Sequence, residues 1–192
     1  MRFGQPLRRV DMDVAQDAIG TDIGVSVDHV ALRVTEHYER RGRELWGLAR
    51  RLGATDDQAR DVVQEAHLRL WRELTGGSQI DDVDAWVFRV AYRLVMDHHR
   101  LSRRVQELAG RLLDRPRTAT LAVDDALTLW PMVDRLPARE RATLYLRYRA
   151  DLSFEQVGAV MGITPGAART YASRGVERLR VQLTAEEGGR RG

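Results

Sequence analysis

Apolar residues recur every three or four positions along most of this chain, which is the spacing of one face of an α-helix. The periodic stretches cover about residues 28–52, 56–74, 82–104, 124–148 and 154–183. Between residues 105 and 125 the pattern fades in an arginine-rich segment that contains Pro116. The pattern predicts an all-α fold in which two small helical domains are joined by a flexible linker.

The domain boundaries follow from the same pattern. Residues 1–27 mix glycine, proline and aspartate with isolated apolar residues, so we expect a mostly disordered extension there. The first domain is predicted at 28–104, the linker at 105–125, the second domain at 126–184 and a disordered tail at 185–192.

Residues 152–180 predict two short helices joined by a tight turn. The signals come in register: a capping box of Ser153 and Gln156, a C′ glycine at Gly162, and an N-cap and first-position proline at Thr164 and Pro165. In the second helix, apolar residues at Ala168, Ala172, Val176, Leu179 and Leu183 form the buried stripe. This arrangement is typical of a helix-turn-helix.

Polar residues lie off that stripe near the start of the second helix: Arg169, Thr170, Ser173 and Arg174. Arginine can bond guanine with two hydrogen bonds in the major groove, and hydroxyl groups can reach bases or phosphates. The alternative is an ordinary helical hairpin with a solvated arginine face. Because the caps, the glycine turn and the small crossing residues agree in register, the sequence favours DNA binding.

The helix predicted at 56–74 has one apolar and one polar face. Val62, Val63, Ala66, Leu70 and Leu74 face the core, and Asp61, Gln64, Glu65, Arg69 and Arg72 occupy the opposite arc. Leu68 falls in the middle of the polar arc. A single exposed leucine is ordinary, but one ringed by charges suits the centre of a protein-docking surface.

The helix predicted from Asp81 or Asp82 to about Arg104 has two apolar sides. Its core stripe is predicted as Val83, Val87, Val90, Ala91, Leu94 and His98. The other side carries Phe88, Tyr92, Met96 and His99, flanked by Arg89 and Arg100. Aromatic rings interleaved with arginine can stack single-stranded bases. An equally favoured alternative is a second face buried against a neighbouring helix.

Composition and charge restrict the function. The chain lacks cysteine and has no apolar run long enough for a membrane span, so disulfides, thiolate metal sites and membrane insertion are not expected. His98 and His99 point about 100° apart on a helix and have no ligand pattern around them. No catalytic or cofactor arrangement stands out, so we expect neither an enzyme nor a bound cofactor. A cytoplasmic protein fits these features.

The basic residues, all 31 of them arginine, are unevenly distributed. Residues 126–184 hold nine arginines and five acidic residues, for a net charge of +4. Residues 28–99 hold eleven arginines and thirteen acidic residues, for a net charge of −2. The second domain is therefore the one whose bulk charge favours DNA.

Three segments together resemble bacterial RNA polymerase sigma factors of the extracytoplasmic-function (ECF) type in the sigma-70 family. The segment D-V-V-Q-E-A-H-L-R-L-W resembles the family's region 2.2, and A-W-V-F-R-V-A-Y-R-L-V-M-D-H-H-R resembles regions 2.3 and 2.4. The segment from R-L-P-A-R-E-R to P-G-A-A-R-T resembles region 4. The likeness covers about residues 30–104 and 126–183, in the family's order.

The resemblance implies a promoter-specificity subunit. It implies docking on the β′ clamp helices of core polymerase by Asp61, Gln64, Glu65, Leu68 and Arg72, and contact between region 4 and the β flap. It implies that loop 75–83 and the helix from Trp86 to Arg104 melt the minus-ten element, through Trp86, Phe88, Arg89, Tyr92, Arg93, Met96, His99 and Arg100. It implies that Thr164, Arg169, Thr170, Ser173 and Arg174 bind the minus-thirty-five element.

The chain departs from the family at three positions. Arg93 stands where the family usually has asparagine, and Tyr171 replaces a frequent arginine of the recognition helix, which removes one phosphate contact. Pro131 is expected to shorten or kink the first helix of region 4.

An anti-sigma factor is expected as a further partner. The alternative function is a helix-turn-helix transcription regulator with an N-terminal partner-binding domain, but such a regulator needs neither the 61–72 face nor the aromatic face.

Overall fold

All regular structure in the described part of the chain is helical. The computed structural model describes residues 13–108 and 129–189. The helices are α1 (Asp13–Arg51), α2 (Asp56–Thr75), α3 (Val83–Leu108), α4 (Trp130–Val133), α5 (Ala138–Tyr148), α6 (Phe154–Met161) and α7 (Pro165–Gly189). The predicted all-α fold is confirmed for these residues.

Three helices extend beyond their predicted ends. α1 begins at Asp13, so residues 13–27 continue the helix instead of belonging to a disordered extension. α3 runs to Leu108 and α7 to Gly189, into the predicted linker and tail. Lengthening an existing helix costs far less than starting one, so weak periodicity at an end does not stop it. Residues 1–12, 109–128 and 190–192, the rest of those predicted segments, lie outside the described residues.

Helices α1, α2 and α3 pack against one another, and local signals fix their ends. The capping box of Thr55 and Gln58 is present at the start of α2. Gly53 follows α1 with φ of +98°, in the region that favours glycine. The Asp82 carboxylate accepts a hydrogen bond from the Ala85 N–H at 2.9 Å, so Asp82 is the residue that caps α3.

A buried polar chain joins these three helices. His37 of α1 and His67 of α2 approach at 3.0 Å between Nδ1 and Nε2, and His67 Nδ1 lies 2.7 Å from the Val63 carbonyl oxygen. The carbonyl accepts from His67 Nδ1–H, so the neutral pair has His37 Nδ1–H donating to His67 Nε2. In this tautomer His37 Nε2 carries no hydrogen, so its 3.2 Å contact with the Asp84 carboxylate on α3 is not a hydrogen bond. Burial lowers the pKa of both histidines, that of His37 to about 4.

Helices α4 to α7 form a second group that packs directly on the first. α6 lies against α3, and α5 lies against α1. One apolar core runs from the first group into the second, and a smaller core, centred on Leu136, Leu144 and Ala172, lies within the second. The two groups therefore share a core, although the sequence pattern predicted separate domains.

Tyr145 of α5 is a buried side chain that inserts between the two groups. It is 2% exposed, and its hydroxyl donates to the Glu44 carbonyl oxygen of α1 at 3.0 Å. Its ring lies over Gly47, where an added Cβ would be 2.2 Å from the tyrosine hydroxyl oxygen. α1 thus accepts Tyr145 because residue 47 has no side chain.

Arg51, at the end of α1, also contacts the second group. Its guanidinium carbon lies 5.0 Å from the ring centres of both Trp130 and Tyr145, and its Nε lies 3.3 Å from Asp134. The side chain is almost fully buried, so its charge depends on the Asp134 carboxylate supplied by the second group.

Two further polar contacts span the groups. An Arg41 Nη2 donates to the Ala150 carbonyl oxygen at 3.0 Å while contacting Asp84 at 2.6 Å. Gln156, the partner of Ser153 in the capping box of α6, donates to the Asp82 carboxylate at 2.7 Å. Both contacts engage backbone or capping positions, so they fix the orientation of the two groups.

Candidate functional site

The helix-turn-helix predicted from sequence is formed by α6 and α7. Ser153 and Gln156 make the capping box, and Gly162 is left-handed with φ of +68°. The Thr164 hydroxyl accepts from the Ala167 N–H at 3.1 Å and caps α7. Gly158 permits the tight crossing, because an added Cβ there would be 2.8 Å from the Ile163 carbonyl oxygen. The buried stripe of α7 is as predicted, with Ala168, Ala172 and Leu179 in the core.

The predicted DNA-facing residues of α7 are brought together on its exposed side. Thr164, Arg169, Thr170, Ser173 and Arg174 are all exposed. Arg169 contacts Glu155 of α6 at 2.7 Å and lies over the Phe154 ring at 5.4 Å. The Thr170 hydroxyl donates to the Gly166 carbonyl oxygen at 3.0 Å. Arg174 has no ion-pair partner among the described residues, so its guanidinium is available to a ligand.

The charge of Arg169 is balanced locally before any ligand arrives. A backbone hydrogen bond, followed by the guanidinium of Arg169 and a bond to Ser153, holds the pKa of Glu155 below its usual value. Glu155 is therefore ionised at neutral pH, and an anionic or polar ligand of Arg169 would have to displace this partner. The sequence pattern alone gave no indication of this pairing.

A second arginine lies beside the recognition helix and was not predicted. Arg139, near the start of α5, donates from Nη1 to the Tyr171 hydroxyl at 2.8 Å. Its guanidinium carbon lies 5.8 Å from the centre of the Tyr171 ring. The two residues are 32 positions apart. No local periodicity links positions so far apart, so sequence reasoning missed the pair.

The polar face of α2 is exposed as predicted. Asp61, Gln64 and Arg72 are exposed, and Glu65 is half-buried in an ion pair with Arg69 at 2.7 Å. Leu68 is 41% exposed in the middle of this face. Trp71, one turn further on, is 37% exposed and extends the apolar centre, which sequence reasoning had not included.

The predicted base-stacking face of α3 is largely covered. Phe88 is fully buried in the core with the Arg41 guanidinium carbon 5.5 Å from its ring centre, so it is not a surface residue. Residues Trp86, Arg89, Tyr92, Met96 and His99 are half-buried, whereas Arg93 and Arg100 are exposed. The alternative interpretation, a second face packed on neighbouring helices, therefore holds for most of this side.

Individual contacts explain that burial. His99 Nε2 lies 2.7 Å from the Leu52 carbonyl oxygen, which ties it to the end of α1. Burial raises the pKa of Tyr92, and the charge of Arg139 in the second group lowers it in part. His98 is exposed, although the core stripe was predicted to include it, because the buried side of α3 turns towards Val95 instead.

The described residues contain no group of three or more histidine, cysteine, aspartate or glutamate side chains arranged to hold a metal ion. Within the same part of the chain, no helix has the length and apolar character needed to cross a membrane.

Two protein families match separate parts of the chain. Residues 37–105 match the family described as Sigma-70 region 2, and residues 132–181 match Sigma-70, region 4. The ECF RNA polymerase sigma factor SigL of Mycobacterium tuberculosis is 30% identical over 154 residues, which cover 76% of this chain and 86% of SigL. The ECF RNA polymerase sigma factor SigW of Bacillus subtilis is 25% identical over 157 residues, covering 73% of this chain and 83% of SigW.

Solved structures share the fold. The sigma factor RpoE of Bartonella quintana, crystallised with the anti-sigma factor NepR, has a TM-score of 0.61 and 22% identity, covering 78% of this chain and 96% of that one. CnrH, solved in complex with the cytosolic domain of CnrY, has a TM-score of 0.56 and 22% identity, covering 85% of this chain and 95% of that one.

Proposed function

This chain belongs to the ECF group of the sigma-70 factors, and we propose that separate surfaces of it perform the separate functions of a promoter-specificity subunit of RNA polymerase. Such a subunit binds core polymerase, recognises the minus-thirty-five and minus-ten elements and promotes DNA melting. Residues 28–104 act as region 2, and residues 126–184 act as region 4. These assignments rest on the placement of exposed side chains.

Region 4 contacts the minus-thirty-five element through the start of α7. A helix-turn-helix places the N-terminal part of its second helix in the major groove. The single observation that carries this assignment is the exposed row of Arg169, Thr170, Ser173 and Arg174 behind a capped turn. Arg174 is the base-reading candidate because no ion pair holds it among the described residues, and Thr164 contacts the phosphate backbone beside the cap.

Region 2 docks on the β′ clamp helices through the polar face of α2. The apolar centre is Leu68 with Trp71, and the charged rim is Asp61, Gln64, Glu65 and Arg72. An apolar centre with a polar rim is the usual composition of a protein interface. Region 4 docks separately on the β flap.

Capture of the minus-ten element belongs to α3 and loop 75–83. Arg93 and Arg100 are exposed and supply positive charge for the strand backbone. Trp86, Arg89, Tyr92, Met96 and His99 are half-buried while α6 lies on α3. Strand capture therefore requires region 4 to move off α3, whereas Phe88 stays in the core and supports the helix.

The protein acts as a regulatory subunit, with no catalytic residue of its own. Melting is driven by binding extruded bases on a stacking and basic surface, which offsets a few kcal/mol of unstacking. We assign its action to the cytoplasm, where RNA polymerase works. An anti-sigma factor is its expected inhibitor, since RpoE was crystallised with one.

Run-off transcription tests the proposed function directly. Purified chain is added to core polymerase on fragmented genomic DNA, and transcript starts are compared with those of core polymerase alone. We expect new starts that share an upstream and a minus-ten sequence. If the chain binds core polymerase but yields no new start sites, the assignment of promoter recognition to these surfaces is wrong.

A further inference from the structure

Arg139 differs from four ion-paired arginines around the helix-turn-helix in the chemistry of its partner. Arg147 contacts Asp151, Arg169 contacts Glu155, Arg178 contacts Glu140 and Arg180 contacts Glu177. Arg139 instead contacts the hydroxyl and the ring face of Tyr171, and no carboxylate lies within ion-pair distance of it among the described residues. Its charge is therefore held in place without being neutralised.

The contact with Tyr171 fixes the position of this charge. The phenol oxygen accepts one N–H of the guanidinium at 2.8 Å, and the ring attracts the cation from 5.8 Å. A guanidinium has five N–H groups, so four remain for another acceptor. Arg139 is exposed, so those four donors can reach solvent or a ligand.

Tyr171 places Arg139 at the edge of the DNA-facing side of α7. At 100° per residue, position 171 lies between the exposed row of Thr170 and Arg174 and the buried stripe of Ala168 and Ala172. When a helix lies in the major groove, the flank of the helix faces the phosphates that border the groove.

We propose that Arg139, held by Tyr171, contacts a backbone phosphate of the minus-thirty-five element and supplies from α5 the cation that α7 lacks at position 171. This inference rests on the proposed function of region 4. Tyr171 acts as a positioning residue, and Arg139 acts as the phosphate ligand. The pair replaces one long side chain with two that are joined by a hydrogen bond.

The test measures binding of reconstituted holoenzyme to a promoter duplex recovered by run-off transcription, and to the same duplex with its upstream element scrambled, at several salt concentrations. A phosphate contact lowers affinity for all sequences alike when it is lost and reduces the salt slope by about one. We expect both effects from Arg139→Ala. Arg149→Ala, an exposed arginine at the other end of α5, should keep the wild-type slope.

Rescue separates the phosphate contact from a structural role. The double variant Arg139→Ala/Tyr171→Arg restores a cation at the same flank, so its salt slope should return to the wild-type value. Tyr171→Phe removes the acceptor but keeps the ring, so it should weaken binding less than Arg139→Ala does.

Two results would overturn the proposal. One is an unchanged salt slope for Arg139→Ala with wild-type discrimination between the two duplexes. The other is a change in the compactness of the free chain with no change in DNA affinity, which would assign Arg139 to the packing of the two helix groups. Failure of the proposed function looks different, since the wild-type holoenzyme would then not distinguish the two duplexes.

Discussion

Leu68 shows how one exposed side chain can matter for binding and little for folding. Leu68→Asp removes the apolar centre of the α2 face and adds a negative charge between Asp61 and Arg72. Because the side chain is 41% exposed, the substitution should change the melting temperature little. We expect the variant to lose co-purification with β′ while keeping its helical circular dichroism.

Two further variants serve as controls, one at an exposed leucine and one at a buried leucine. Leu101→Asp changes a leucine that is 61% exposed on α3, away from the α2 face, and should retain β′ binding. Leu70→Asp buries a charge at a position that is 1% exposed and should unfold region 2. A drop in melting temperature for Leu68→Asp comparable to that for Leu70→Asp would show that Leu68 belongs to the core.

Arg174 provides a second prediction at the residue scale. Loss of a bidentate guanine contact in Arg174→Ala should cost roughly 1–3 kcal/mol of binding and relax the preference at one base pair. Loss of a phosphate contact would instead weaken all sequences and lower the salt slope by about one. Binding to upstream variants at two salt concentrations distinguishes the two roles.

The control for Arg174 lies on the same helix. Arg180 is exposed and contacts Glu177 at 3.5 Å, beyond the part of α7 that we propose to enter the groove. Arg180→Ala should bind every upstream variant as the wild type does. Equal binding by Arg174→Ala and wild type at both salt concentrations would mean that α7 is oriented differently in the groove.

At the scale of helices, the His37–His67 chain makes the junction of α1, α2 and α3 sensitive to acid. The folded chain keeps His37 neutral, with its pKa lowered from 6.5 to about 4 by burial, by His67 and by Arg40 and Arg41, against the opposing effect of Asp84. The unfolded chain takes up the proton near pH 6.5, so it binds more protons between the two values. The contribution of neutral His37 to the free energy of unfolding is therefore fully present above pH 6.5 and is lost as the pH falls towards 4.

Urea unfolding at a series of pH values measures this effect. We expect the free energy of unfolding to fall by roughly 2 kcal/mol more in the wild type than in His37→Gln between pH 7 and pH 4.5. His29→Gln, which changes an exposed histidine of the same helix, should keep the wild-type dependence. If the free energy of unfolding depends on pH in the same way in the wild type and in His37→Gln, His37 does not titrate as described.

Local chemistry explains which helical features could be predicted. A capping box needs two residues three positions apart, so Ser153 with Gln156 is visible in the sequence and present in the structure. The covering of α3 depends on α6, which lies far along the chain, and the contact of the second group with α1 depends on Tyr145, which reaches Glu44 across 101 positions. Periodicity shows that α3 has two apolar sides, but it does not show what packs on the second one.

At the scale of the whole molecule, region 4 packs on region 2 and covers part of α3. Gly47 provides a way to separate the groups without damaging either. The three atoms nearest to an added Cβ all belong to Tyr145, and alanine favours a helix over glycine by about 1 kcal/mol. Gly47→Ala should therefore leave α1 intact while pushing Tyr145 out of its site.

We expect Gly47→Ala to increase the radius of gyration of the free chain in small-angle X-ray scattering. It should also strengthen binding of a single-stranded minus-ten oligonucleotide in the absence of core polymerase, because α6 then leaves α3 uncovered. The double variant Gly47→Ala/Tyr145→Phe lacks the hydroxyl that an added Cβ would meet at 2.2 Å, so it should recover much of the compact form. A wild-type radius for Gly47→Ala would contradict a role for this contact in holding the groups together.

The fluorescence of Trp130 can report whether the two groups are in contact. Its indole packs edge-on against Tyr145 at 5.5 Å between ring centres, beside the buried guanidinium of Arg51. The other three tryptophans, Trp46, Trp71 and Trp86, all belong to region 2. With those three changed to phenylalanine, fluorescence emission comes from Trp130 alone. Separation of the groups in the free chain would move this indole into water and shift its emission to longer wavelength, so a stopped-flow instrument could time that separation.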